Sequence, residues 1–370
     1  MTGGDTTVET AIATALDSRD AIAFVHAGVD TVSDPDPVIR YCRLASGAGV
    51  SAGTRAPEVG AGTAVAVSFD GTEWLTVTEM ESAAHPVTAL ASQLTDRHGT
   101  GAVLTPARIP HDAALYLEQA GCSLASTTVV DRARESKTDT ERERITTAQE
   151  AAVAGLRRGA SMLAAATTAD GRLLTAGDRT PVTPARVGRT IDEGIVGAGG
   201  FPMGTTAVRS SGSDDVLRPG EPIVVTTAPR DPVGYHGGLA RTFVVDSEGG
   251  PERRAHVGVT QAFRSVQSML TADNESVTAV EADLEAEIRG FGFGEQPIET
   301  RVVGVGLEPV ERPCDGGDEI GPESVVRIDA AVEFAPDRWI RLADLLLKHT
   351  DGIEWLTAPS RSIDPATLEE

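Results

Sequence analysis

The side chains best suited to acid–base chemistry lie in the second half of the chain: His236, Glu311 and Asp329. A histidine changes its charge near neutral pH, and two carboxyl groups in contact can share a proton or act as an acid and a base. Other catalytic patterns are missing from the sequence. It has neither the Gly-x-Ser-x-Gly turn of a serine hydrolase nor a Walker lysine behind its glycine-rich runs. Whether these three side chains can do chemistry depends on the elements that position them.

Four segments in the second half of the chain form an ordered series of motifs. They are residues 218–243, 303–313, 328–331 and 341–344. The series resembles that of the pita-bread superfamily, which includes creatinase, aminopeptidase P, prolidase and methionine aminopeptidase. The family patterns are, in order, K-x-G-D…D-x-G through G-Y-x-S-D-x-T-R-T-F, then H-G-[IV]-G-L-x-x-H-E-x-P, I-E-P-G and R-I-E-D. The resemblance extends over about residues 138–357 and implies a pita-bread domain, preceded by a smaller creatinase-like α/β domain.

The resemblance places the five metal-ligand positions of the family on Thr227, Gly238, Val303, Asp329 and Ala343. In the family, divalent ions held at these positions activate a bound water molecule as the nucleophile. The first two positions are 11 residues apart and the last two 14, as in prolidase-like relatives. Only Asp329 offers a carboxylate, and one carboxylate does not hold such a cation against its hydration shell. The resemblance therefore implies no metal, no other cofactor and no catalytic residue.

Creatinase works on this fold without a metal by using a histidine, which is a second route to catalysis. The equivalent run here, residues 208–215, contains no histidine. What remains is a predicted binding pocket, whose candidate residues are Thr227, His236, Arg241, Glu311 and Asp329. We expect Asp329 to accept hydrogen bonds from Thr227 and nearby donors in place of an ion, because a buried charge needs partners. For Arg241, the commonest role is a structural ion pair.

The resemblance implies a catalytically degenerate relative of Xaa-Pro aminopeptidases and prolidases. Such a pseudoenzyme would bind a small ligand, a peptide or a protein. The alternative is an active hydrolase acting on Xaa-Pro peptides or small amidines. It would be either a peptidase of the aminopeptidase P or prolidase type whose ligand positions differ from those assigned above, or a metal-free hydrolase of the creatinase type using Glu311, Asp329 or His236. A third interpretation is a structural subunit that pairs with an active paralogue. A homodimer is compatible with all three, and the sequence identifies no partner.

The chain is strongly acidic. It has 55 acidic and 32 basic residues, a formal net charge of −23, and only two lysines, Lys137 and Lys348. Nucleic acid is not expected as a partner, because phosphate neutralisation needs clustered basic residues. Acidity with little lysine is typical of cytoplasmic proteins of halophiles that accumulate salt. The sequence has no basic leader, no run of ~18 apolar residues and no metal-type cysteine spacing, which predicts a cytoplasmic protein without membrane contact.

The halophile interpretation predicts that the fold depends on salt. Dilution from about 1 M to about 0.01 M salt lengthens the screening distance from ~3 Å to ~30 Å, so acidic groups repel one another across the whole surface. We expect the melting temperature to fall throughout this dilution when it is followed by circular dichroism at constant pH. A melting temperature that stays constant would show that the acidity has another origin.

Apolar patterning predicts an α/β (α+β) protein with two domains and a tail, at residues 1–135, 136–357 and 358–370. In the first domain, Asp70–Gly71 predicts a hairpin turn and Pro86 the start of a helix. The polar residues 132–143 suit a linker or the exposed start of a long helix. Three further helices are predicted behind Thr183–Pro184, over residues 253–270, and over residues 278–289 with a Thr278-x-x-Glu281 capping box. The tail is expected to be frayed.

Overall fold

The structure, a computed structural model, describes residues 8–30, 36–47, 63–79, 84–211 and 215–368. The chain divides into two compact units, Met1–Arg134 and Glu135–Glu370. Residues 212–214, part of the run compared with the histidine segment of creatinase, lie outside the described residues. Within the described residues, no helix is long and apolar enough to cross a membrane.

The first unit is a five-stranded mixed sheet with helices packed against it. Its elements are α1 (Val8–Arg19), β1 (Ala21–Asp30), α2 (Pro37–Ala45), β2 (Thr63–Phe69), β3 (Trp74–Thr78), α3 (Pro86–His98), β4 (Ala102–Thr105), α4 (His111–Gln119), β5 (Ser123–Ser126) and α5 (Val129–Ala133). The strand order is β3-β2-β1-β4-β5, with β1 antiparallel to β2 and parallel to β4. The predicted hairpin is present, and Asp70 accepts hydrogen bonds from the backbone of Thr72 and Glu73 in its turn.

The second unit contains a seven-stranded sheet and two pairs of helices. The helices are α6 (Asp139–Ala164), α7 (Pro184–Gly197), α8 (Pro251–Ala272), α9 (Val277–Gly290) and a final 3-10 turn, Pro365–Leu368. The strands are β6 (Thr167–Ala169), β7 (Arg172–Leu174), β8 (Ala207–Ser210), β9 (Ile223–Thr227), β10 (Leu239–Phe243), β11 (Glu275–Ser276), β12 (Ile298–Gly304), β13 (Glu319–Ile320), β14 (Val325–Ala335), β15 (Arg338–His349) and β16 (Gly352–Trp355). The main sheet is antiparallel, in the order β12-β14-β15-β10-β9-β8, with β16 beside β15. The mixed α/β class predicted from the sequence is confirmed.

Local capping signals explain where the helices of the second unit begin. Thr138 and Glu141 form a reciprocal capping box at the start of α6. Thr183 caps α7 as predicted, by accepting a hydrogen bond from the backbone of Arg186. The predicted capping box of α9 is wrong, because Ser276 is the N-cap and Glu281 instead accepts a hydrogen bond from Val302 N at 2.8 Å. Glu281 is the fifth residue of α9, too far into the helix to serve its cap, and its side chain contacts the neighbouring strand instead.

The two helix pairs cover one face of the main sheet. Helices α6 and α7 bury their apolar stripes against alternate residues of β9 and β10, including Val225, Leu239 and Phe243. Helices α8 and α9 do the same against alternate residues of β12, β14 and β15, including Ile328 and Leu342. Because strand side chains alternate between faces, the intervening residues of these strands point to the opposite face, where no helix pair packs.

Residues 358–368, the described part of the tail, are not frayed as the sequence suggested. Leu368 is buried in the core with α6 and α7. Arg361 donates a hydrogen bond to Asp344 at 2.7 Å, and its guanidinium lies 4.4 Å from the ring centre of Trp355. Tertiary contacts therefore order a segment whose local sequence carries no strong helix or strand signal.

Candidate functional site

The uncovered face of the main sheet forms the floor of a cavity of about 870 Å³. Directly paired residues of antiparallel strands point to the same face, and one row of such pairs crosses six strands here. From β8 to β12 the row is Ala207, Thr226, Ala240, Ala343, Asp329 and Arg301. The first five line the cavity. The register of the sheet therefore determines which side chains meet in this cavity.

Four of the five positions that the family resemblance assigned to metal ligands lie on this face. Asp329 and Ala343 belong to the row, and Val303 is paired with Arg327, the residue two before Asp329 on β14. Gly238 lies just before β10, and a Cβ atom added to it would lie 3.4 Å from Arg327 Cδ. The motif series thus brings together the strands expected from the sequence.

Thr227 is the exception. It borders the cavity, but it is paired with the core residue Leu239, and its hydroxyl oxygen lies 3.0 Å from that of Thr206. Its side chain therefore has the orientation of the helix-covered face. The neighbouring Thr226 stands where Thr227 was expected, because the separation of 11 residues from Gly238 does not reproduce the strand pairing.

Asp329 is held by an arginine and not by Thr227, so the predicted hydrogen bond between them is wrong. Its two carboxylate oxygens accept hydrogen bonds from Arg341, at 2.9 Å from Nε and 2.8 Å from Nη2. Arg341 Nη1 also lies 3.4 Å from a carboxylate oxygen of Glu299. This bidentate geometry is the strong form of a charge-assisted pair. The charge that compensates Asp329 is thus a guanidinium.

Arg327 is the cavity residue that the sequence reasoning missed. Its side chain lies beside Gly238, and its Nε is buried without a hydrogen-bond partner. Burial lowers the pKa of the Arg327 guanidinium, and the charge of Asp329 opposes this effect. The signal that could have found it is simple: Arg327 precedes Asp329 by two residues on a strand, and such residues share a face.

His236 and Glu311, also predicted for the pocket, meet in a separate buried cluster. Glu311 accepts a hydrogen bond from Lys137 Nζ at 2.6 Å, and the two side chains are 5% and 1% exposed. Neither His236 nor Glu311 lines the cavity. Because Glu311 and Asp329 each have a cationic partner of their own, a proton shared between these carboxylates is disfavoured. Lys137 also shows that the polar residues 132–143 are not simply an exposed linker.

His236 is neutral at pH 7. Burial lowers its pKa to about 4, against the opposing effects of the Ala228 carbonyl and the Glu311 carboxylate, while Arg230 acts in the same direction as burial. Its Nδ1 lies 3.5 Å from the Ala228 oxygen, and its backbone N–H donates to Gly306 at 2.8 Å. This histidine is packed among backbone groups instead of facing a substrate-sized space.

Arg241 lies on the helix-covered face and is completely buried. Its Nη2 is 2.6 Å from Asp344 Oδ1, and its other hydrogen bonds go to backbone carbonyl groups, those of Ala240, Ala343, Pro359 and Ser360. The expected structural ion pair is therefore present. Arg241 does not line the cavity.

The residues of the cavity do not fit a divalent metal centre. Such a centre needs several carboxylate or imidazole ligands, but Asp329 is the only acidic residue at the expected positions and Arg341 engages both of its oxygens. Arg327 adds a second positive charge that repels a cation. In the described part of the chain, one group of residues is spaced to share a metal, Cys314, Asp315 and Asp318, and none of them lines the cavity.

The fold is shared with solved structures of peptidases. The prolidase from Pyrococcus horikoshii OT3 superposes with a TM-score of 0.71 at 16% identity, covering 96% of this chain and 99% of that one. The Xaa-Pro dipeptidase from Bacillus anthracis gives the same TM-score and identity, over 96% and 98% of the two chains. The N-terminal domain of the FACT complex subunit SPT16 from chickpea has a TM-score of 0.64 at 12% identity, over 97% and 98%. At these identities the similarity shows the pita-bread fold alone.

The family is identified by comparison of the sequence. No curated protein matches the chain. Residues 147–349, which include most of α6, all of α7 to α9 and nearly all of the main sheet, match the model of metallopeptidase family M24. Because that match spans more than half of the chain, the protein belongs to metallopeptidase family M24, within the creatinase, aminopeptidase P and prolidase superfamily.

Proposed function

We propose that this protein is a non-catalytic binding protein, a pseudoenzyme of the prolidase and aminopeptidase P type. The observation that carries the proposal is the bidentate pair between Arg341 and Asp329. This pair engages both oxygens of Asp329, the one carboxylate at the ligand positions, and Arg327 lies on the same face of the sheet. A pair of divalent ions and an activated water molecule have no ligands here, so the peptidase chemistry of the family is absent.

The competing function, a metal-free hydrolase, has little support from the site. Its general base or acid would have to be His236, Glu311 or Asp329. His236 and Glu311 lie outside the cavity, and each carboxylate is held by a basic side chain. A general acid or base must come within hydrogen-bond reach of a substrate, and these groups are already committed to other contacts.

A binding role agrees with the size and openness of the cavity. Valine at position 303 does not close it, and its volume of about 870 Å³ lies within the usual range of ligand sites. A protein of the same fold, the SPT16 domain, is part of a subunit of a complex. We therefore propose a small ligand, a peptide or a protein as the partner, and not nucleic acid.

The proposed environment is the cytoplasm of a halophile. Both lysines are buried, each 2% exposed. Lys348 Nζ donates to backbone carbonyl groups, and Lys137 is paired with Glu311. The described surface thus presents no lysine to the solvent, which agrees with adaptation to high salt. A homodimer remains part of this proposal.

The test is metal uptake together with hydrolysis. The purified protein is incubated in high salt with Mn²⁺, Co²⁺ or Zn²⁺, dialysed, and examined by elemental analysis and with an Xaa-Pro dipeptide. A metal-dependent prolidase treated in parallel is the control. We expect metal far below one ion per chain and no hydrolysis. Stoichiometric metal accompanied by hydrolysis would overturn the proposed function.

A further inference from the structure

We propose that the cavity binds a small organic carboxylate, and that Arg327 is the residue that receives its carboxylate group. This inference rests on the proposed function, in that no metal occupies this face of the sheet. It adds the class of ligand and the residue that recognises it.

Two arginines that line the cavity make no hydrogen bond within the described residues, Arg327 and the exposed Arg209, and only Arg327 has a buried guanidinium nitrogen. Arg341 is saturated by Asp329 and Glu299. For Arg327, by contrast, the described residues provide no hydrogen-bond acceptor, and its Nε is buried. Leaving a buried charged group without a hydrogen bond is costly. An anion entering the cavity would remove that cost.

The absence of a side chain at Gly238 gives the ligand room beside the guanidinium. A Cβ atom there would lie 3.4 Å from Cδ and 3.6 Å from Nη1 of Arg327. An aspartate or any longer side chain at this position would occupy the space next to Nη1. Gly238 therefore leaves the Nη1 side of the Arg327 guanidinium group open to the cavity.

The surroundings favour a carboxylate over a phosphate. The planar guanidinium group can bind a carboxylate or a phosphate in a bidentate geometry, so the discrimination between them comes from charge. Three acidic residues also line the cavity, Glu299, Asp329 and Asp337. Their charges oppose a dianion more strongly than a monoanion.

The remaining lining suits an organic group. Trp339, Pro222, Val224 and Ala331 provide apolar surface in the same cavity as Arg327. An aromatic side chain with a few polar anchors is the usual composition of a small-molecule site. We therefore expect a carboxylate that carries an apolar or aromatic part to bind more tightly than acetate.

The experiment is calorimetric titration of chelator-treated protein with sodium benzoate, acetate or inorganic phosphate at one fixed NaCl concentration. Benzoate is expected to bind with a Kd of about 1 mM or tighter, and more tightly than acetate or phosphate. Arg327→Gln should weaken benzoate binding by at least about 10-fold, because the charge-assisted bonds are lost. Arg327→Lys keeps the charge without the planar guanidinium group and should give an intermediate loss of benzoate affinity. This variant also tests the proposal if Arg327→Gln does not fold.

The matched control is Arg253→Gln, which removes the same charge from an exposed arginine of α8 outside the cavity lining. It should leave the Kd within about 3-fold of the wild type, since exposed charges are well screened. The inference is overturned if benzoate does not bind, if Arg327→Gln binds it as well as the wild type does, or if phosphate binds more tightly than benzoate. Because the protein is free of metal in this titration, these outcomes are independent of the metal and hydrolysis tests of the proposed function.

Discussion

Replacing Arg241 with leucine is expected to lower the free energy of unfolding by about 3–5 kcal/mol, the usual loss when one partner of a buried ion pair is removed. Arg241 is fully buried, and its Nη2 lies 2.6 Å from Asp344. It also donates to the carbonyl groups of Pro359 and Ser360, so its loss removes two of the contacts that hold the C-terminal segment. Denaturant titration at fixed high salt measures the change.

The control for this variant is Arg253→Leu, which changes an exposed arginine of α8. A surface change of this kind should alter the free energy of unfolding by no more than about 0.5 kcal/mol. Arg241→Lys keeps the charge but not the planar guanidinium group, and its free energy of unfolding should fall between those of Arg241→Leu and Arg253→Leu. A loss below about 1 kcal/mol for Arg241→Leu would contradict a structural role for this network.

Lowering the pH from 6.5 to 4 is expected to remove roughly 3 kcal/mol of stability through His236 alone, since each unit of pKa shift corresponds to about 1.4 kcal/mol. The pKa of His236 falls from the ordinary 6.5 to about 4 on burial. Between these values the unfolded chain binds a proton at this residue and the folded protein does not. The contribution of His236 to the free energy of unfolding is therefore fully present above pH 6.5 and is lost as the pH falls towards 4.

The measurement compares unfolding free energies of the wild type and His236→Gln across this range. The difference between the two proteins isolates His236, because the carboxylates and His256 titrate in both. We expect the stability of the variant to depend less on pH, by roughly 3 kcal/mol over the window. Identical profiles for wild type and His236→Gln would show that His236 is accessible to protons in the folded state.

Much of the architecture was determined by local signals in the sequence. Thr183 predicted the start of α7 because a capping side chain acts on the turn that directly follows it. Asp70–Gly71 likewise predicted the first hairpin, because these residues form the turn itself. The ordered motifs also identified which strands form the cavity floor, and the residue types at their ligand positions excluded a conventional metal set. These features depend on residues that are close in sequence or that keep their order along the chain.

The partners of the polar residues were decided only by the tertiary structure. Lys137 and Glu311 are separated by 174 residues, and Arg241 and Asp344 by 103. The cross-strand register directs Thr226, and not Thr227, towards the cavity. It also brings Arg341 within hydrogen-bond distance of Asp329. A loop between two strands can change length without changing their pairing, so counting residues along the chain does not reveal which face a side chain takes. The sequence by itself therefore determined the family and the fold and predicted that metal ligands are missing, whereas packing and register decided how the polar side chains are paired and placed Arg327 in the cavity lining.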